Sequence, residues 1–402
     1  MPRVTLTDVA SDLWVEDFSL RSGDPGTGPV VAGGPAWSVI KRTLKGGRRD
    51  GVDLVRLDNG AFSVDIVPTR GMSFRRGDYR GTRLGWTSPV ADGPVHPKYV
   101  NLMNWGGLGW LEGYDEMLVR CGLENIGSPY QETVASADGS RRDVLYGLHG
   151  KLGNIPAHKV VVDFDQETGE IAVEGEVDEA KPFAGQVRLR TRISTTPGSN
   201  AIRVRDEYVN LRDSPSEIQV LYHWNFGSPI LEEGARVVLP ARTIVPRDER
   251  ARVGLDRYDV YEGPTPGYAE QVYFFELIGD GTAADRTVAL LRDRAGARGV
   301  ALRFSIAAMP RFTVWKNTAG PNEGYVTGLE PSTSYPNARP FEAARGRIVT
   351  LPPGGSHVVD TTLEYLDSAE AVARVESEVD RLRAGTTPTI HPRPVEPFAP
   401  EA

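Results

Sequence analysis

Apolar and polar residues alternate with a period of two along most of this chain. Phe62, Val64 and Ile66 fall on one face of "AFSVDIV"; Val160, Val162 and Phe164 do so in "KVVVDFD", and Ile171, Val173 and Val177 in "GEIAVEGEV". "QVRLRTRIST" is the clearest case: Val187, Leu189, Thr191 and Ile193 point one way, Arg188, Arg190 and Arg192 the other. A strand with one packed and one wet face needs this pattern, which belongs to antiparallel sheets. The turn signals "LDNGA", "QETGE", "TPGSN" and "LPPGGS" separate the runs. No regular alternation of helix with strand is present, so a parallel doubly wound sheet is not expected. The expected fold is all-β, a large antiparallel β-sandwich over residues 37–366, preceded by an N-terminal extension, 1–36.

The period changes near the end of the sequence. In "DSAEAVARVESEVDRLRA" Val372, Val375, Val379 and Leu382 recur at helical spacing among charges, which predicts an amphipathic helix over 367–384, packed outside the sheet. The Pro-rich segment 385–402 reads as an extended or disordered tail.

Composition narrows the function classes. The 402 residues carry a formal net charge of -8, which argues against nucleic acid as a partner. A single cysteine, Cys121, forbids an internal disulfide and reads as a small core residue. The first twenty residues lack an apolar core like that of a signal peptide, and no apolar run approaches the length of a membrane span. The expectation is a cytoplasmic protein without membrane contact.

Several polar residues interrupt these apolar runs. In "EIQVLYHWNFG" the period of two puts Ile218, Val220, Tyr222 and Trp224 on one face and Gln219, Leu221, His223 and Asn225 on the other. His223 and Asn225 therefore project side by side, and a polar pair on an apolar strand needs a reason. Glu330 ends the strand in "EGYVTGLEPSTSYPNARP", at a sheet rim, where sites are often built. His149 sits between Gly147 and Gly150 in "LYGLHGKLGNIPAHKV", where glycines allow tight backbone and close ligand approach. "NWGGLGW" offers Trp105 and a second tryptophan as faces suited to a pyranose ring. Arg120, inside the apolar "LVRCGLEN", must be paired or face a cavity. Lys316, in "RFTVWKN", is a further candidate to face a ligand. Two histidines and a carboxylate are also a ligand set that could hold a metal.

Three of these patches resemble, in order, motifs of the aldose 1-epimerase (galactose mutarotase-like) superfamily. "GLHG" is similar to its "H-L-H-G-G", "LYHWNFG" to its "N-H-x-Y-F-N-L", and "TGLEPSTSYPNA" to its "L-E-(T/P)-x-x-x-P-D-A". The combination of "RGM", "GGLGWL", "GYDEMLVRCGLEN", "GLHGK" and "YHWNFG" resembles a divergent branch of that superfamily. The resemblance implies a supersandwich fold and a carbohydrate-active isomerase that interconverts the anomers of a free aldose, with no cofactor and a small sugar as partner. It implies that Glu330 is the base at the anomeric hydroxyl, His223 the acid at the ring oxygen, and His149 a sugar-holding histidine. Asn225 stands beside His223, and Arg70, in "VPTRGMSF", takes the place of a sugar-binding arginine. The expected site is thus Glu330, His223 and His149 for catalysis, with Arg70, Asn225, Trp105, Arg120 and Lys316 binding substrate and no metal. Departures exist: Asn337 replaces the aspartate of "P-D-A", and only Asp256 and Asp259 are candidates for the superfamily's sugar-binding aspartate. They motivate an alternative, an epimerase, isomerase or lyase acting on an oxidised or unusual sugar; a further alternative is a non-catalytic sugar-binding protein that kept the pocket. An edge strand of such a sandwich offers a route to a homo-oligomer.

Overall fold

The computed structural model describes residues 3–27, 34–135, 139–182 and 185–400. Among them, two large sheets, of ten and fourteen strands, stack face to face. Pairing among the described residues is antiparallel, apart from the short parallel pairing of Thr389–Ile390 with Ala241–Pro246 and one isolated bridge. One continuous apolar core fills the space between the sheets. The alternating residues meet there: Val187, Leu189 and Ile193 from one sheet, Val64, Ile66, Val220, Tyr222 and Trp224 from the other. Arg188, Arg190 and Arg192 lie opposite Asp178, Glu176 and Glu174 on the neighbouring strand and pair with carboxylates on the wet face. This is the all-β sandwich that the period of two predicts.

The helix Ala369–Leu382 is capped by Ser368, whose Oγ accepts from the Ala371 N–H at 3.2 Å. Val372, Val375 and Val379 bury against Val288, Leu290 and Leu366 on the outer face of the ten-stranded sheet. No described helix is long and apolar enough to cross a membrane.

The two ends do more than the sequence suggests. In the 1–36 stretch, Arg3–Asp8 and Leu13–Trp14 join the ten-stranded sheet and Phe18–Arg21 edges the other, while 1–2 and 28–33 lie outside the described residues. In the 385–402 stretch, Thr389–Ile390 forms a strand and Phe398 and Ala399 are buried, with 401–402 outside the described residues. Proline content alone made this segment look detached; Val395 and Phe398 give it an apolar face.

Candidate active site

The site forms on the outer face of the fourteen-stranded sheet, where the strands Leu118–Leu123, Ser216–Phe226, Tyr325–Ser332 and Arg311–Thr318 are neighbours. Tyr222 and Trp224 point into the main core, so His223 and Asn225 point the other way. Over that face folds the segment containing Trp86, Trp110 and Tyr114. These rings pack on Val119, Cys121, Leu221 and Val326 as a second, smaller core. Between this cap and the sheet lies a cavity of about 420 Å³, lined by His149, His223, Glu330, Trp110, Tyr114, Trp315, Arg247 and Glu270 among others.

Glu330 and His223 meet in it, with Nε2 of His223 3.1 Å from Oε1 of Glu330. Gly328, two residues before Glu330 on the same face, makes this contact fit: a Cβ there would lie 2.4 Å from Oε1 of Glu330 and 3.1 Å from Cε1 of His223. Asn225 fixes the imidazole from behind. Its Nδ2 donates to the carbonyls of Glu116 (2.9 Å) and His223 (3.0 Å), so its Oδ1 faces Nδ1 of His223 at 2.6 Å. The Tyr114 hydroxyl donates to the same Oδ1 at 2.6 Å. An amide oxygen only accepts, so the imidazole hydrogen sits on Nδ1 and Nε2 is left to exchange a proton with Glu330.

Burial dominates the electrostatics. It pushes the Glu330 carboxyl well above the usual carboxylate range, helped by the charge of Glu270 and opposed by Arg247. It pushes His223 well below the usual imidazole range, helped by His149 and opposed by the hydrogen bond to Asn225. Both directions act the same way: burial favours the protonated carboxyl and the neutral imidazole over the charged forms.

His149 reaches the cavity from a loop. Its backbone is left-handed (φ 55), held by its N–H donating to Gly127 O (3.1 Å) and its carbonyl accepting from Gly122 N–H (3.0 Å). Nδ1 donates to Ile126 O at 2.7 Å, which leaves Nε2 as an acceptor. Burial lowers its pKa to about 4, so it is neutral near pH 7. Its ring lies edge-on to Trp110 (4.8 Å between centroids) and to His223 (5.2 Å).

The other expected binders lie elsewhere. Asn225 is buried behind His223 and does not line the cavity. Arg70 is fully buried, with Nε 2.5 Å from Oε1 of Glu116 and Nη1 2.9 Å from Asn154 Oδ1, so it braces the segment whose carbonyl holds Asn225. Arg120 faces the main core. There it pairs with Asp206 of the opposite sheet and donates to Thr191 Oγ1 (3.0 Å) and Met72 O (2.9 Å). Lys316 is on the opposite face of its strand from Trp315, and its Nζ donates to the carbonyls of Arg257 (3.0 Å) and Val260 (2.7 Å). Trp105 is 77% exposed and outside the cavity; the second tryptophan of "NWGGLGW", Trp110, lines it. Asp256 and Asp259 do not line it either. Among the described residues no three His, Cys, Asp or Glu side chains are grouped as metal ligands.

Sequence reasoning passed over Tyr114, Trp315, Arg247 and Glu270. The Glu270 carboxylate accepts from the Trp315 indole N–H (2.7 Å) and from Arg247 Nη2 (3.0 Å), so the three form one polar rim. Trp315 was within reach of the sequence: it precedes Lys316, and the residue adjacent to a wrongly chosen one points to the other face.

Over residues 49–365 the chain matches a family described as a domain of unknown function (DUF4432). It is 33% identical to a Klebsiella pneumoniae protein described as a candidate aldose 1-epimerase; the match covers 98% of this chain and 100% of that one, with a TM-score of 0.89. A galactose mutarotase-like protein of Clostridium acetobutylicum shares the fold at 16% identity, over 82% of this chain and 98% of that one, with a TM-score of 0.56. A galactose mutarotase related enzyme of Lactobacillus acidophilus does so at 13% identity, over 78% and 98%, with a TM-score of 0.52. No curated protein matches the chain in sequence. The chain belongs to the DUF4432 family, within the aldose 1-epimerase (galactose mutarotase-like) superfamily.

Proposed function

We propose that this protein is an isomerase that interconverts the anomers of a free aldose by opening and closing its ring. The observation that carries the reading is the buried His223–Glu330 pair on the cavity, at 3.1 Å. An anomeric carbon bears two oxygens, one to lose a proton and one to gain it. Two adjacent groups, one able to give a proton and the other able to take it, suit that task.

The proton count closes. Moving the carboxyl proton from Glu330 to Nε2 of His223 gives carboxylate and imidazolium without changing the net charge. The carboxylate takes the proton of the anomeric hydroxyl, and its O–H electron pair forms the aldehyde C=O. The C1–ring oxygen bond breaks, and that oxygen keeps the pair and takes the imidazolium proton. Carboxylic acid and neutral imidazole remain, the form that burial favours. After the aldehyde turns about its bond to C2, the steps reverse: His223 accepts the proton of the attacking hydroxyl, and Glu330 returns one to the carbonyl oxygen.

Neutral His149, with its bare Nε2, accepts from a sugar hydroxyl and holds the ring beside the pair. Trp315, half-buried, offers a face to the apolar side of a pyranose, while Trp110 packs on Tyr114 and His149 within the cavity wall. Among the described residues Arg247 is the one lysine or arginine lining the cavity, and Glu270 and Asp248 already pair with it. That charge balance supports a neutral aldose over a phosphorylated one. The test is anomerisation of freshly dissolved α-D-glucose and α-D-galactose, followed by polarimetry; Glu330→Gln is expected to lose the acceleration and to keep sugar binding. Binding without turnover in the wild type would instead point to a sugar-binding protein.

A further inference from the structure

We infer that the segment 389–399 is a built part of the cavity wall and positions Trp315, Val272 and Pro336 toward the substrate. This rests on the reading of the cavity as a sugar site. Val272, Trp315 and Pro336 line the cavity. Val272 and Trp315 also belong to a separate apolar cluster with Val245, Phe274 and Tyr335, and the rest of that cluster is Val395, Phe398 and Ala399. The wall thus has the cavity on one side and this segment on the other. Phe398 is 9% exposed and Ala399 fully buried.

Polar contacts fix the segment in register. Thr389–Ile390 pairs with Ala241–Pro246, the strand that leads into Arg247 at the cavity rim. Glu396 pairs with Arg345 at 2.7 Å, and the Pro397 carbonyl accepts from Arg347. Asn337, beside Pro336, is the central tie: its Nδ2 donates to Phe398 O at 2.8 Å and to Glu342 Oε1 at 2.7 Å. Both partners are acceptors, so an aspartate could make neither bond and would set a carboxylate against Glu342. That gives a physical reason for asparagine where the superfamily motif has aspartate. Anchoring the Pro336 loop to a distant segment removes freedom that substrate binding would otherwise have to freeze.

The test uses the full chain with Phe398→Ala and, separately, Asn337→Asp. Steady-state anomerisation of D-glucose and D-galactose is read beside hydrogen exchange of peptides over 311–318 and 333–338. Peptides over Gln186–Thr195, in the opposite sheet, are the control. A positioning wall predicts KM up roughly tenfold with kcat within about twofold, Phe398→Leu close to wild type, and faster exchange confined to 311–318 and 333–338. Unchanged exchange at 311–318 and 333–338, or faster exchange everywhere, overturns the inference, as does a fall in kcat at constant KM. If the wild type turns over no aldose while exchange accelerates only in those two stretches, the wall stands and the proposed reaction falls.

Discussion

Gly328→Ala separates the geometry of the His223–Glu330 pair from its chemistry, because it removes neither group. The added Cβ would sit 2.4 Å from Oε1 of Glu330. Restoring an ordinary contact of about 3.4 Å moves the carboxyl by about 1 Å, and misplacement on that scale costs on the order of 10²-fold in rate. That is about 2.7 kcal/mol of barrier. It lies at the low end of the 10²–10⁴-fold worth of a positioned acid–base group. The crowding also destabilises the fold, by roughly 1–3 kcal/mol. The assay is kcat/KM for anomerisation, normalised to folded protein by a thermal melt, with sugar affinity from calorimetry. The expected result is a rate loss near a hundredfold with affinity changed far less. Wild-type kcat/KM in a folded Gly328→Ala protein would refute the pair as the reacting groups.

Four further outcomes follow from the same structure. His223→Ala is expected to lose about 10²–10⁴ in kcat, read in the same polarimetric assay. In the pH–rate profile burial should move the His223 limb below the ordinary imidazole value of 6.5 and the Glu330 limb above the ordinary carboxylate value of 4.5; limbs at those two ordinary values in kcat/KM would contradict this. Arg120→Met leaves the buried Asp206 carboxylate without its cation, with the Tyr222 hydroxyl as its remaining donor, and should cost about 3–5 kcal/mol in a denaturant titration, with KM of the remaining folded enzyme unchanged, since Arg120 faces the core. Glu179→Gln tests a buried carboxyl raised by burial from 4.5 to about 7. The folded state holds that proton where the unfolded state has lost it, so wild-type stability is full below 4.5 and falls as pH rises to about 7; the glutamine variant should gain about 3 kcal/mol over wild type across that window, measured by urea unfolding at pH 4.5 and 7.5.

The fold was legible because a period of two is a local property. Val187, Leu189 and Ile193 announce a buried face without knowledge of any partner. The same rule put His223 beside Asn225, and the structure shows them bonded. Cations in apolar runs were harder to read. Arg70 and Arg120 could equally have faced a ligand or a partner, and the deciding carboxylates lie 46 and 86 residues away in sequence. Trp105 and Trp110 defeated the pattern for another reason. Trp105 and Gly106 both adopt left-handed backbone (φ 52 and 66), so neither the helical nor the strand period carries across to Trp110. Arg247 and Glu270 lie just outside strands, where no periodicity constrains direction, and only the fold brings them to one rim.

The central claim is that Glu330 and His223 move a proton between the two oxygens of an anomeric carbon. Its most direct test is the optical rotation of freshly dissolved α-D-glucose and α-D-galactose with wild type beside Glu330→Gln. The account predicts a relaxation accelerated by wild type and indistinguishable from the uncatalysed rate with the variant. Acceleration that survives in a folded Glu330→Gln protein would contradict it.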